Sequence, residues 1–223
     1  MTGNNDFQMT DKAPVIALHS SASCGRQWNQ LRDDLEAQHI VETPELPGYD
    51  GTTPRWNTAS GLERVAGPVL ADLGKFEEPV HLVGHSFGGG VALKIALLQP
   101  QMVKSLTLYE PVAFHLMLNS DAGDRELVSD LEQIARHAAG QLKSGAVNVD
   151  MAPFIDFWNG HGAWKNMPDT VRERIAGTAE YVVSDFEAEF DETWSVDDLR
   201  KLRIPTQIMM GMESPEVAQR MSQ

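Results

Sequence analysis

The sequence predicts an α/β fold, a mostly parallel sheet flanked by helices with a helical cap inserted late in the chain. Three observations predict it. Short apolar runs bounded by turn residues recur at 14–19 (PVIALH), 39–46, 79–86, 104–111 and 204–211. They are near-continuous rather than alternating, as in parallel strands covered on both faces. Between them lie segments with apolar residues at helical spacing, so that strand and helix take turns along the chain.

Taken in order, the first run follows MTGNNDFQMTDKAP, which has no basic stretch leading into an apolar one and so does not read as a signal peptide. The segment 58–74 carries Leu62, Val65, Val69, Leu70 and Leu73 on one stripe, with Thr58 or Ser60 as its cap and Pro68 as a kink. Residues 88–99 are apolar nearly all round and stop at Pro100, which fits a helix buried against the sheet. From 119 to 190 the alternation lapses. One helix is expected over 125–142 and another over 168–190 behind Pro168-Asp169, with the aromatic, glycine-rich stretch 151–168 between them. The expected division is a core of 1–118 and 191–223 and a cap of 119–190.

Composition narrows the function. With 223 residues and 42% hydrophobic content, the chain can build one cored domain and an elaboration. A formal net charge of −14 repels nucleic-acid phosphates and anionic membrane surfaces, and suits neutral or cationic small molecules. A single cysteine, Cys24, allows no internal disulfide and reads as a small buried thiol. No apolar run approaches the ~18 residues of a membrane span, so the expected setting is cytoplasmic. Cys and His show no metal-ligand spacing, and no P-loop or dinucleotide fingerprint occurs. No metal and no cofactor is therefore expected.

The segment with the most chemistry is VHLVGHSFGGGVAL, residues 80–93. Gly84-His85-Ser86-Phe87-Gly88 matches G-x-S-x-G in the setting that gives this short pattern weight, an apolar strand before it and a helix after it. A serine in that tight turn is presented as a nucleophile. Glycines on either side let neighbouring backbone pass, and the helix start places the Phe87 N–H where an oxyanion would form.

With these residues the chain resembles the α/β-hydrolase superfamily, close to its small esterase-like and lactonase-like members with a helical cap. The resemblance runs from about residue 14 to the end. LHSSASCGRQW resembles the family's oxyanion loop, with Ser20 where a glycine is usual, and ELPGYDGT and YEPVAF resemble two further loops at the same sheet edge. The resemblance implies that the backbone N–H of Ser21 partners that of Phe87 in an oxyanion hole. It also implies an acid. The family's usual Gly-x-x-Asp reads Gly211-Met212-Glu213-Ser214 here, so Glu110, after an earlier strand, is the favoured acid and Glu213 the second choice.

The base is the departure. In the family's order a histidine follows the acid on an eighth strand, and this chain has no histidine after His161. On that comparison the fold is C-terminally short. Of the seven histidines, His19 reads as a brace for the oxyanion loop, and His85 as packed against neighbouring strands. His39, His81 and His137 read as ordinary, while His115 and His161 remain as substitute bases. Trp158 and Trp164, with Phe154 and Phe157, either line an acyl pocket or fasten the cap to the core. The acidic run 177–194 reads as a solvated helix face, and Met209, Met210 and Met212 as packing at the core and its edge.

The expectation is a serine hydrolase that turns over small carboxylic esters through an acyl-enzyme. Lactonase or carbon–carbon bond hydrolase chemistry shares the same site. A non-catalytic ligand-binding member of the fold is the alternative that the absent base motivates. An exposed sheet edge beside the last strand would favour a homo-oligomer.

Overall fold

The computed structural model describes residues 12–51 and 61–223, so the cap expected at Thr58 or Ser60 lies outside the described residues. The chain begins with β1 (Pro14–Leu18), a short 3-10 turn (Gly25–Trp28), α1 (Asn29–Leu35) and β2 (Ile40–Glu42). Then come α2 (Glu63–Leu73), β3 (Val80–His85), α3 (Phe87–Leu98) and β4 (Val103–Tyr109). Six helices separate β4 from the last strand: α4 (Phe114–Leu118), α5 (Ala122–Lys143), α6 (Ala152–Asn159), α7 (Ala163–Asn166), α8 (Asp169–Ala176) and α9 (Ala179–Phe190). A seventh, α10 (Val196–Lys201), leads into β5 (Thr206–Met209), and α11 (Glu216–Met221) closes the described chain.

The sheet is wholly parallel, in the order β2-β1-β3-β4-β5. From β1 the chain moves outward to β2, then crosses back to β3 on the other side. The loops after β1 and β3 therefore diverge and open a crevice at the carboxyl ends of the strands, which is where open α/β sheets place their sites.

The two sheet faces are covered unequally. Leu82, Leu106 and Leu108 are buried beneath α2 and α3. Side chains of the opposite face (His81, Val83, Ser105, Thr107) are half-buried, in a groove whose far wall is Trp28, Leu31 and Leu35. All four residues of β5 are exposed, because the strand pairs with β4 on one side and has no neighbour among the described residues on the other. The expectation for the three methionines is corrected here. Met209, Met210 and Met212 are 39%, 38% and 81% exposed, since they stand on and just beyond that unpaired edge.

Local chemistry accounts for the helix ends. The side chain of Asp121 accepts the Asp124 N–H at 3.0 Å and starts α5. Ser195 and Asp198 form a reciprocal capping box on α10. The single helix expected over 168–190 is two helices broken at Gly177-Thr178, a pair of weak helix formers. α9 packs on α4 and α5, and Arg220 of α11 makes a two-pronged contact with Asp124 of α5 at 2.7 and 3.0 Å. No helix among the described residues is long and apolar enough to cross a membrane.

Candidate active site

The turn between β3 and α3 is held in an unusual conformation. Ser86 has φ 52° and ψ −119°, outside the regions that L-residues ordinarily occupy. A strained residue of this kind costs on the order of 1–3 kcal/mol and persists only where its surroundings determine it. Here they do. The Ser86 N–H donates to the Tyr109 carbonyl at 3.0 Å, and the Ser86 carbonyl accepts from Gly89, Gly90 and Val112 at 2.8, 3.1 and 3.2 Å.

The flanking glycines are needed because backbone passes where side chains would stand. A Cβ on Gly84 would lie 2.5 Å from the Gly88 carbonyl oxygen, and one on Gly88 would lie 2.5 Å from that of His19. The start of α3 thereby rests directly on the end of β1. As the first residue of α3, Phe87 has no carbonyl one turn earlier, and its N–H takes no acceptor among the described residues.

Ser86 faces a cavity of about 400 Å³ at the crevice between the diverging loops. Its walls come from Ser20–Ser23 after β1, Ser86 and Phe87 after β3, Glu110 and Val112 after β4, and Ser214 after β5. α6 and α9 close it with Trp158, Asp185 and Glu189 among others. No lysine or arginine among the described residues lines it.

The loop after β1 is braced residue by residue. His19 is fully buried; its Nδ1 meets the Ser20 carbonyl at 2.8 Å and its Nε2 accepts the Leu46 N–H at 3.0 Å, so the ring is the neutral Nδ1–H tautomer. Burial lowers its pKa in the same sense. Ser20 donates through both its N–H and its hydroxyl to Gln27 Oε1, at 3.1 and 3.0 Å. The Ala22 N–H donates to the Tyr49 hydroxyl at 3.0 Å and the Ser23 N–H to the Ser20 carbonyl at 3.3 Å. Among the described residues the Ser21 N–H has no acceptor, and Ser21 borders the cavity. Two free backbone donors, from Ser21 and Phe87, thus flank the mouth of the serine turn.

Glu110 is also held at a positive φ, 46°. One of its oxygens accepts the Gly211 N–H at 2.7 Å and the Ser214 hydroxyl at 2.5 Å. Glu110 borders the cavity, whereas Glu213 is exposed on an outer groove. Trp158 borders the cavity, but Trp164 does not: its N–H donates to Asp156 Oδ1 at 2.8 Å at the start of α7, and its ring packs on the core.

The histidines divide clearly. His115 is buried on Trp194, with Nε2 3.0 Å from the Trp194 carbonyl, and His161 is exposed; neither borders the cavity. Among the described residues only His85 does, lying 4.9 Å from the Tyr109 ring. Its Nδ1 receives the Gln27 side-chain amide at 2.9 Å, and burial lowers its pKa.

Sequence reasoning missed two acids. Of the acids in the run read as a solvated helix face, Glu180, Glu187 and Asp191 are exposed while Asp185, Glu189 and Glu192 are buried, and Asp185 and Glu189 border the cavity. Asp185 and Glu189 stand one turn apart beside Val182 and Phe186, so that spacing was the available signal. Burial raises the Asp185 pKa to about 7 against the hydrogen bonds from Ser21 and Tyr49. It raises that of Glu189 well above the carboxylate range, with Glu192 and Asp185 adding to the effect. Glu192 instead pairs with Lys94 at 3.1 Å. Cys24 is half-buried in the braced loop.

Comparison with known proteins bears on the family and the fold. The chain is 35% identical over 107 residues to the dihydrolipoyllysine-residue acetyltransferase component of the acetoin cleaving system of Cupriavidus necator, covering 48% of this chain and 28% of that protein. It is 33% identical over 107 residues to the pimeloyl-[acyl-carrier protein] methyl ester esterase of Vibrio parahaemolyticus, covering 48% and 40%. The matched stretches thus span well under half of those relatives' own lengths. Among solved structures, the 2-hydroxy-6-oxo-6-phenylhexa-2,4-dienoate hydrolase of a Rhodococcus species superposes with a TM-score of 0.64 at 18% identity, over 92% of this chain and 75% of that one. The model of the alpha/beta hydrolase family matches residues 15–223, nearly the whole described chain, and the chain belongs to that family.

Proposed function

We propose that the protein is a serine hydrolase of small, largely apolar carboxylic esters. The observation that carries this reading is the conformation of Ser86, a strained residue pinned by four backbone hydrogen bonds beside two unengaged N–H groups. A turn serine without a chemical role has no need of that strain. In this reading Ser86 Oγ attacks the ester carbonyl and forms a bond to its carbon. The carbonyl oxygen takes the negative charge between the Ser21 and Phe87 N–H groups, whose charge-assisted hydrogen bonds strengthen as the charge develops. Collapse of the tetrahedral species breaks the carbon–oxygen bond to the alcohol, which leaves carrying the proton that the Ser86 hydroxyl gave up. The acyl-serine is then hydrolysed by water, which returns a proton to Ser86.

Glu110 serves as the acid that orients a base, and its short contacts with Gly211 and Ser214 fix its carboxylate at the cavity wall. Trp158 and the aromatic wall take the acyl chain, and the segment 119–190 acts as a cap. The similarity to a methyl ester esterase supports ester substrates, although that likeness covers less than half of either protein.

A second reading is favoured by one observation: His85 is the only cavity histidine among the described residues, and its Nδ1 is already engaged. Loss of the histidine from a serine-protease triad costs about a million-fold in turnover, while an oxyanion hole alone retains roughly a thousand-fold over water. With these residues the site would bind esters and acylate slowly, as a ligand-binding protein. Hydrolysis of a short p-nitrophenyl ester by the chain and by Ser86→Ala separates the two. Turnover of about 1 per second or faster that is lost in the variant supports the hydrolase. Equal background rates in both, with ester binding retained, support the binder.

A further inference from the structure

We propose that Asp185, on α9, is the positioning residue that holds Ser21 and Ala22 in the loop conformation that presents the Ser21 N–H. The proposal rests on the hydrolase reading only for the use to which that shape is put. One oxygen, Asp185 Oδ2, accepts the Ser21 hydroxyl at 2.5 Å and the Tyr49 hydroxyl at 2.7 Å. Tyr49 donates to Oδ2, which serves as an acceptor both in the carboxylate and in the acid that carries its proton on the other oxygen. The phenol oxygen then has its lone pairs free for the Ala22 N–H, which it takes at 3.0 Å. Both flanks of the Ser21–Ala22 peptide are therefore set through the same carboxylate oxygen.

Among the described residues no other group does this. His19 and Gln27 hold Ser20, and the Ser23 N–H closes a turn back onto Ser20. Ala22 nevertheless sits at φ 58°, a conformation that an alanine does not keep unaided. The Ala22 N–H is taken up by Tyr49, and Ser21, which borders the cavity, has no acceptor for its N–H among the described residues. Tyr49 is itself located by edge contact with His19 at 5.0 Å and by Tyr181 of α9 at 5.4 Å. The oxyanion loop of the sheet is thus shaped by a helix of the segment between β4 and β5.

The test uses three variants and two readouts. Asp185→Asn keeps an acceptor oxygen, Asp185→Leu removes it, and Tyr49→Phe removes the hydroxyl relay while leaving α9 intact. Hydrogen exchange of the Ala22 amide, followed by NMR, reports the loop without reference to chemistry. The rate of Ser86 labelling by a fluorophosphonate reports its use. Asp185→Leu and Tyr49→Phe are expected to speed Ala22 exchange and to slow labelling on the order of 10- to 100-fold. Asp185→Asn is expected to stay close to the parent protein in both. Should Asp185→Leu fail to fold, Tyr49→Phe carries the same expectation.

Unchanged Ala22 exchange in Tyr49→Phe overturns the proposal, as does faster exchange with an unchanged labelling rate. If the parent chain itself is not labelled at Ser86, the hydrolase reading fails instead, and the exchange rates alone decide whether Asp185 holds the loop.

Discussion

Replacement of Asp185 by asparagine should make the protein more stable, and by an amount that grows with pH. In the folded protein the Asp185 pKa is raised from 3.8 to about 7, because burial disfavours the charged form more than its hydroxyl partners and Arg64 favour it. A folded-state pKa above the unfolded one means that the folded chain binds this proton more tightly. From this group, stability is therefore highest below pH 4, falls as pH rises from about 4 to about 7, and is level above that. At about 1.36 kcal/mol for each pH unit of that interval, the ceiling is about 4 kcal/mol. Asparagine carries no proton to lose and keeps the acceptor oxygen, so the variant escapes the loss. Urea unfolding of both proteins at pH 5, 6, 7 and 8 gives the difference directly, since carboxylates common to the two largely cancel. The variant's advantage should widen steadily from pH 5 to 7 and then level off. Glu189, relieved of a like-charged neighbour, loses part of its upward shift and adds to the variant's advantage. A difference that is constant with pH, or a parent protein that gains on the variant as pH rises, would refute the reasoning. It would show that the hydroxyls of Ser21 and Tyr49 outweigh burial.

Further outcomes follow from other parts of the molecule. Gly88→Ala should destabilise by more than about 3 kcal/mol, because the new Cβ meets the backbone of β1 rather than a movable side chain; the thermal midpoint measures it. Ile208→Lys, on the exposed edge of β5, should lower self-association in light scattering while leaving the melting temperature nearly unchanged. Added imidazole should raise p-nitrophenyl ester hydrolysis in the parent chain beyond its effect on Ser86→Ala, since Glu110 borders the cavity where a base is wanted. Equal stimulation of the two proteins would mean that Glu110 orients nothing.

The parallel sheet was legible because each of the five apolar runs is a strand of it, within a few residues at each end. The serine turn was legible for a different reason: glycines at 84 and 88 are demanded by backbone contacts that no other residue allows. What escaped notice depends on neighbours that composition does not name. Met209 and Met210 look like core in a strand pattern, but burial needs a partner on the far side of β5. Asp185 and Glu189 look like surface in an acidic run, yet they share a helix face with Val182 and Phe186, and that face packs inward. Trp158 and Trp164 were equivalent by composition, and only the turn into α7 sends the second away from the cavity. The break at Gly177-Thr178 has a signal in weak helix formers, whereas α1, α4 and α11 are too short for periodicity to show.

The single oxygen shared by Ser21 and Tyr49 also dates the site within the life of the chain. Asp185 lies 164 residues beyond Ser21 and 136 beyond Tyr49, among the longest-range contacts in the molecule. Contacts of such separation carry the largest loop-closure cost and form late. β1, β3 and the serine turn can assemble as soon as β4 has left the ribosome. If Asp185 holds the loop as proposed, the loop beside them takes its final shape only after α9 has been made and docked, well after the serine turn is in place.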